Sequence, residues 1–290
     1  MSVLQSIFLG IVQGITEFLP VSSSGHLAIF KHIFHLNTDG GMLFDILLHV
    51  GTLLVVLIVF RRDIGMLILE ALRMIGDMFF NLRTLVASGK GEKGPMRSIV
   101  RNNYRKFVIL IIVSTIPTGI IGILGKDLVE QAGSTLLVPG ICLLITGAVL
   151  YLTDRTPEGD KMPKDVTYRE AIIIGVAQGI ATLPGISRSG ATIAACIFLG
   201  LDRRFSLKYS FILSIPAILG AAVLELKDLA GATLTAGETA VYLAGMLFAA
   251  LTGYICIRTM LLAVRKKKLS YFAWYCFAAG IVAIAGHFLL

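Results

Sequence analysis

The amino-acid sequence predicts an all-α integral membrane protein, with six transmembrane helices plus two re-entrant helical hairpins arranged as an inverted-topology repeat. Three observations predict this fold class. Hydrophobic residues make up 56% of the 290 residues and charged residues only 15%, far from the average of soluble domains. Six apolar segments are long enough to cross a bilayer. Two further apolar regions are each interrupted by a polar turn, and the two turns share a motif.

The predicted spans are apolar segments near the length of about 20 residues that a transmembrane helix needs. They cover residues 43–60, 107–124, 136–152, 209–226, 240–262 and 271–290. We expect the whole chain, 1–290, to form a single membrane domain, with repeat one at 1–152 and repeat two at 170–290.

Segments 3–36 and 171–201 do not fit as simple spans. Residues 20–25 interrupt the first and residues 184–190 the second, and both turns contain Pro and Gly, which break helices. The arms that follow the turns are too short to cross. Two short helices that meet at a polar turn predict a re-entrant hairpin, which membranes tolerate only where protein or a water-filled cavity surrounds it.

The distribution of Lys and Arg predicts the orientation of the spans. The basic loop 61–106 should be cytoplasmic, together with the basic run 265–268. Three full spans follow the first hairpin, so that hairpin begins on the outer face and the second begins on the cytoplasmic face. The second copy is therefore inverted. Topology and contact with anionic lipid then explain the net charge of +8, and no nucleic-acid partner is expected. An apolar stretch at 66–75 predicts a helix at the cytoplasmic surface.

The two polar turns align without a gap, residues 10–25 with residues 175–190, and they are predicted to be halves of one site. Ionisable side chains inside a membrane are costly and mark functional sites. One copy carries an acid, a hydroxyl and an imidazole, whereas the other carries a cation. The differing positions align Glu17 with Thr182, Ser23 with Arg188 and His26 with Ala191.

The residue types in these turns indicate phosphoryl transfer. Gln13 and Glu17 are four apart and share a helix face, which points the carboxylate toward the serine turn. The second turn opens a helix, where free N–H groups and the guanidinium of Arg188 suit a phosphate. An anion clamp, a nucleophile and a carboxylate fit a phosphoryl-transfer site, and the membrane setting implies a substrate with a phosphate head and a hydrocarbon tail.

The candidate site residues fall into two groups, and the nucleophile is left open between two of them. Either Ser23 attacks and His26 removes its proton, or His26 attacks and Ser23 binds phosphate. Asp45 and His49 are expected to support the site or to begin a helix. At least one hydroxyl of the serine turn should only cap a helix. The catalytic candidates are Glu17, Ser23, His26 and Arg188; the substrate-binding candidates are Gln13, Ser22, Ser24, Gly25, Ser187, Ser189, Gly190 and Thr192.

These motifs resemble the undecaprenyl-pyrophosphate phosphatase family, known through bacitracin resistance. The family pattern (Glu/Gln)-x-x-x-Glu followed by Pro-Val-Ser-Ser-x-Gly-His is matched at Gln13, Glu17 and 20–26, and Pro-Gly-x-Ser-Arg-Ser-Gly-Ala-Thr is matched at 184–192. The resemblance covers essentially the whole chain. It implies hydrolysis of the terminal phosphate of C55 isoprenyl (undecaprenyl) pyrophosphate to undecaprenyl phosphate and inorganic phosphate. This reaction recycles the lipid carrier of bacterial cell-wall synthesis and confers bacitracin resistance.

The resemblance also implies a setting and a cofactor. The protein would be a multi-pass protein of the bacterial inner (plasma) membrane, with its site accessible from the outer face. It would depend on a divalent cation, Mg or Ca. Because Gln13 takes the amide option of the motif, Glu17 would be the main metal ligand. The sequence leaves the oligomeric state open, a homodimer included.

A transporter of a lipid phosphate or another anion is the competing interpretation. Inverted repeats with paired hairpins are also a transporter architecture. Such a carrier needs Arg188 and the helix ends but no nucleophile. The presence of Glu17, Ser23 and His26 on one hairpin favours the enzyme, because simple binding does not require an acid, a nucleophile and a base together.

Overall fold

The computed structural model describes residues 1–33, 41–87, 96–228 and 235–289, and these residues form twelve helices and no β-strand. This confirms the all-α prediction for the described part of the chain. The helices are α1 (Val3–Phe18), α2 (Ser23–Ile33), α3 (Gly41–Val59), α4 (Arg61–Ala87), α5 (Asn103–Leu124), α6 (Lys126–Gly133), α7 (Leu137–Arg155), α8 (Tyr168–Ile180), α9 (Arg188–Phe198), α10 (Arg203–Asp228), α11 (Ala236–Arg265) and α12 (Leu269–Leu289).

The described helices include five that are long and apolar enough to cross a membrane, namely α5, α7, α10, α11 and α12. A sixth candidate is α3 taken together with α4, which bends away from α3 by 84°. The chain is therefore a multi-pass membrane protein, with five or six candidate spans. Residues 34–36 of the predicted first hairpin, 88–95 of the predicted cytoplasmic loop and 290 of the last predicted span lie outside the described residues.

Both interrupted segments fold into a pair of short helices joined by a turn. The first pair is α1 and α2 and the second is α8 and α9, and each second helix has only 11 residues. The turns are shaped by backbone conformations that most residues avoid: φ is +68° at Ser22 and +96° at Gly185. Ser187 then caps α9, because its hydroxyl accepts a hydrogen bond from the N–H of Gly190.

The first helix of each hairpin packs against a long helix from the other half of the chain: α1 lies on α11, and α8 lies on α5. Glycine allows both contacts. A Cβ atom at Gly10 would collide with the carbonyl oxygen of Gly245, and one at Gly175 would collide with that of Ser114. Such close approach through small residues is how apolar helices associate in a bilayer.

Helices α7 and α12 form a third close pair. A Cβ atom at Gly140 would lie 3.1 Å from the carbonyl oxygen of Gly280, and one at Gly147 would lie 3.0 Å from that of Ala273. The pair runs beside both turns. It brings Thr146 of α7 against the second turn and Tyr275 of α12 against the first.

The predicted surface helix at 66–75 falls inside α4, which is longer than expected. One face of α4 is tied to α5 by a buried ion cluster, in which Arg105 donates at 2.7 Å to both Glu70 and Asp77. The opposite face exposes large apolar side chains such as Leu72 and Phe79. Its 84° turn from α3 and its two-faced composition both agree with a helix lying along the membrane surface.

We expect Gly175→Ala to lower the thermal stability of the protein. The added methyl group has no room against the backbone of α5, and overpacking of this kind costs typically ~1–3 kcal/mol. Gly119→Ala is the matched control, because a Cβ atom there meets no atom within 4 Å, and Ala is favoured over Gly in a helix by roughly 0.5–1 kcal/mol. Thermal unfolding in detergent, followed by circular dichroism, measures both. Equal melting temperatures for the two variants would contradict the packing of α8 on α5.

Candidate active site

The two hairpin turns meet at the carboxylate of Glu17, which is 8% exposed. One carboxylate oxygen accepts hydrogen bonds from the hydroxyl of Ser23 at 2.5 Å and from the amide of Gln13 at 3.0 Å. The other oxygen is ion-paired with Arg188, the first residue of α9. Three short helices, α1, α2 and α9, therefore bring an acid, a hydroxyl and a guanidinium to one point.

Ser22 links the two turns directly. Its hydroxyl accepts a hydrogen bond from the N–H of Gly25 at 3.3 Å, as a helix cap does, and another from the N–H of Gly185 at 3.1 Å. The hydroxyl of Ser24 lies 3.3 Å from that of Ser22. Ser22 therefore has a structural task at the start of α2, while Ser23 carries the hydroxyl that contacts Glu17.

The second turn repeats this arrangement. The hydroxyl of Ser187 accepts from the N–H of Gly190 at 3.1 Å and lies 3.3 Å from the hydroxyl of Ser189. Thr192 is fully buried, and its hydroxyl lies 2.5 Å from that of Ser210 on α10. The N–H of Gly190 and the hydroxyl of Thr192, both expected to bind substrate, therefore make hydrogen bonds to other residues of the protein.

The structure does not bring His26 to Ser23. Its Nδ1 lies 2.7 Å from the carbonyl oxygen of Ser22, and its Nε2 lies 2.7 Å from the hydroxyl of Tyr275, whose ring stacks on the imidazole. The expected contact between imidazole and serine hydroxyl is therefore replaced by the contact between Glu17 and Ser23. A spacing of three residues allows both arrangements, and the presence of Tyr275 on α12 favours the one observed.

A narrow cleft of about 10 Å³, enough for one water molecule, lies beside Glu17 and Arg188, between α1, α3, α9 and α10. Besides the two charged residues, both hydroxyl-bearing and large apolar side chains line this cleft. The chemistry of this lining matches a ligand with an anionic head and a hydrocarbon chain, for which the cleft must widen. The hydroxyl side chains are Thr52, Ser189, Ser210 and Ser214, and the apolar ones are Phe18, Val56, Phe211 and Ile218.

Three further side chains belong to the site. His49, expected only as a supporting residue, points its Nε2 at Glu17 from 3.8 Å, whereas Asp45 pairs with Lys31. Tyr275 and Thr146 were missed by sequence reasoning because they lie in long apolar helices and belong to neither motif. The one feature of the sequence that could have identified them is that each is a polar side chain inside an apolar span.

The donor atoms around Glu17 do not fit a resident metal ion. Among the described residues, no group of three or more His, Cys, Asp and Glu side chains could hold one. Both oxygens of Glu17 already accept from Arg188, Ser23 or Gln13. Within the described ranges the site offers a single carboxylate, which is fewer oxygen ligands than a protein-only Mg or Ca site provides.

The geometry places a serine hydroxyl and a guanidinium on the two oxygens of one carboxylate. A serine hydroxyl is activated when a base lies within hydrogen-bond reach, and Glu17 lies there. The guanidinium of Arg188 and the N-terminus of α9 present positive charge and N–H donors from the facing turn. The site is therefore suited to transfer of a phosphoryl group to a hydroxyl or to water.

Comparison with known proteins finds close relatives over nearly the full length. The family model described as "Bacitracin resistance protein BacA" matches residues 6–282. Proteins named undecaprenyl-diphosphatase from Alkaliphilus metalliredigens and Halothermothrix orenii are each 43% identical over 284 residues, covering 98% of this chain and 98% of theirs. A protein of the same name from Methanosphaera stadtmanae is 42% identical over 284 residues, with the same coverage.

Proposed function

The chain belongs to the bacitracin resistance protein BacA family, and from this we propose that it is an undecaprenyl-diphosphatase. It would hydrolyse the terminal phosphate of undecaprenyl pyrophosphate to give undecaprenyl phosphate and inorganic phosphate. The contact of Ser23 with Glu17, directly opposite Arg188, is the observation that carries the proposal. The reaction would recycle the lipid carrier of cell-wall synthesis and confer bacitracin resistance in a bacterial plasma membrane.

Ser23 is the proposed nucleophile and Glu17 its base. The Ser23 oxygen attacks the terminal phosphorus, its proton passes to Glu17, and the bond to the bridging oxygen breaks to release undecaprenyl phosphate. Glu17 gives this proton to the departing undecaprenyl phosphate and becomes a base again. Water then attacks the phosphoserine and gives a proton to Glu17, which passes it to the serine oxygen as the bond between Ser23 and phosphorus breaks and inorganic phosphate is released. The 2.5 Å contact between Ser23 and Glu17 supports this route. Direct attack by His26 has less support, because both of its ring nitrogens are engaged elsewhere.

Arg188 is the proposed clamp on the phosphate that is transferred. In the structure its guanidinium pairs with Glu17, so the substrate must draw it from the carboxylate toward the phosphate oxygens. A planar guanidinium can hold two such oxygens at once. The N-terminus of α9 adds N–H donors and positive dipole to the same place. Charge that develops on the phosphoryl oxygens in the transition state is thereby stabilised.

The inverted-topology repeat, with both hairpins re-entrant and the site open to the outer face, is part of the proposal. The helix pairing supports it, because α1 on α11 and α8 on α5 are equivalent contacts if the two halves are copies. Both contacts pass through aligned glycines, Gly10 and Gly175.

Aligned positions in the two copies should face opposite sides of the membrane. Leu4 aligns with Arg169, and both side chains are exposed. In a background without the native cysteines, Leu4→Cys should react with a membrane-impermeant thiol reagent from the outer side and Arg169→Cys only from the cytoplasm. Lys267→Cys serves as a cytoplasmic reference, set by the basic run that contains it. Labelling of Leu4→Cys and Arg169→Cys from the same side would contradict the inversion.

A divalent cation, Mg or Ca, remains a prediction. Because the protein donors do not fit a resident ion, such a cation would come with the pyrophosphate, and Glu17 is the proposed protein ligand. A homodimer also remains a prediction.

Purified protein in detergent, given undecaprenyl pyrophosphate with and without a chelator, tests the proposed function. We expect release of one phosphate per lipid and none from a Glu17→Gln variant. The transporter is tested by the same protein in sealed vesicles. Movement of the lipid across the bilayer without phosphate release would contradict the enzyme and support the transporter.

A further inference from the structure

The contacts of His26 determine which of its nitrogens carries the proton. The carbonyl oxygen of Ser22 can only accept, so Nδ1, at 2.7 Å, must donate. In the neutral ring Nε2 is then the acceptor, and the hydroxyl of Tyr275 donates to it from 2.7 Å. Tyr275 therefore holds His26 in the Nδ1-protonated tautomer.

The group that His26 holds is the backbone of Ser22. Ser22 has φ of +68°, a conformation that residues other than glycine rarely adopt. The hydroxyl of the same residue accepts from the N–H of Gly185 in the second turn. The orientation of Ser22 thus sets the next residue, Ser23, relative to the turn that carries Arg188.

The second turn is held in a parallel way. Thr146 of α7 donates to the carbonyl oxygen of Gly185 at 2.9 Å and accepts from the N–H of Ser187 at 3.1 Å. Its helix α7 pairs closely with α12, which carries Tyr275. Side chains of this helix pair therefore hold the backbone of both turns. Thr146 contacts the second turn directly, and Tyr275 acts on the first turn through His26.

We infer that His26 and Tyr275 are positioning residues, which act through the carbonyl of Ser22 to hold Ser23 against Glu17 and opposite Arg188. His26 neither attacks phosphorus nor takes the serine proton. The inference rests on the proposed function, because its effect is on the reaction of Ser23.

His26→Asn separates positioning from acid–base chemistry. The asparagine amide can place an N–H donor near the position of Nδ1, but it has no nitrogen that titrates or attacks phosphorus. We expect His26→Ala to lower kcat about a hundredfold, the loss that a small misplacement of reacting groups can cause. His26→Asn should recover to within roughly tenfold of wild type, a difference of about 1.4 kcal/mol. If both variants are equally inactive while the wild type is active, the positioning role is wrong.

Tyr275→Phe keeps the stacked ring and removes only the hydroxyl. We expect kcat to fall about tenfold in the wild-type background, with KM little changed, since tenfold corresponds to a single neutral hydrogen bond. In the His26→Asn background it should cause no further loss, because no Nε2 remains to be held. Tyr271→Phe, on the same helix and exposed, is the control and should equal wild type. Equal losses in both backgrounds would contradict coupling through His26.

A nitrogen-15 spectrum of histidine-labelled protein tests the tautomer without any substrate. The His26 signals are those missing from His26→Asn. They should show a protonated Nδ1 and an unprotonated Nε2 in the wild type. In Tyr275→Phe the signal of the unprotonated Nε2 should shift, because this nitrogen loses its hydrogen-bond donor. An Nε2-protonated His26 in the wild type would overturn the inference. Absence of phosphatase activity in the wild type would instead overturn the proposed function, so the two failures are distinguishable.

Discussion

Arg188→Ala is expected to lower turnover on undecaprenyl pyrophosphate by roughly a hundredfold or more. In the proposed mechanism the guanidinium contacts charge that develops on the phosphoryl oxygens in the transition state, and loss of such a contact costs on the order of 3 kcal/mol. Steady-state phosphate release by the purified variant measures the effect. Wild-type turnover by a well-folded Arg188→Ala protein would rule out the clamp.

The ion pair between Arg188 and Glu17 requires controls for stability. Glu17 is buried, so Arg188→Ala leaves its carboxylate without the guanidinium that pairs with it and should lower the melting temperature. Arg188→Lys retains the charge but loses the planar fork, and it should lose most activity while melting near wild type. The double variant Glu17→Gln with Arg188→Ala should regain stability and stay inactive. A fully active Arg188→Lys protein would show that only the charge matters.

Ser23→Ala is expected to abolish turnover at every pH, because it removes the proposed nucleophile. In hydrolases that use a serine nucleophile, this loss reaches roughly a millionfold in kcat. Ser24→Ala is the comparison, since the Ser24 hydroxyl contacts Ser22 rather than Glu17, and it should lose no more than about tenfold, the value of one hydrogen bond. A Ser23→Ala protein that retains a tenth or more of wild-type turnover would exclude serine as the nucleophile.

The phosphoserine intermediate provides a second measurement. Substrate labelled in the terminal phosphate should leave label on the protein in a rapid quench. The label should map to the peptide that contains Ser23 and should be absent from Ser23→Ala. Label found on His26 instead would support direct attack by the imidazole and contradict both the mechanism and the positioning role.

The parts of the site that could be predicted are those that stand out chemically from their surroundings. Glu17, Ser23 and Arg188 interrupt apolar sequence, and the gapless alignment of the two turns predicted that they would meet. The orientation of the His26 imidazole could not be predicted, because it depends on a hydrogen bond to Tyr275, which is remote in sequence and lies in an ordinary apolar helix. Sequence patterns indicate which side chains are polar, but not which partners helix packing will bring to them.

The fold shows the same limit. Composition and segment length predicted the spanning helices, and Pro and Gly predicted the broken ones. The predicted helix at 66–75 is shorter than α4. The acidic side chains of α4 pair with Arg105 of the following helix, and the sequence of α4 alone does not indicate this partner. The small residues along α1 and α8 were visible in the sequence, yet they identify a contact surface rather than the helix that covers it.

The exchange of partners between the two halves has a consequence for biosynthesis. Helix α1 packs on α11, which is translated almost at the end of the chain. At about 5–20 residues per second, roughly ten to fifty seconds pass before that partner leaves the ribosome. During this time α1 can pack on α2 and α3, but its glycine surface lacks the helix that it contacts most extensively in the finished protein. The order of synthesis thus makes the packing of α1, the first helix of the chain, one of the last parts of the structure to become complete.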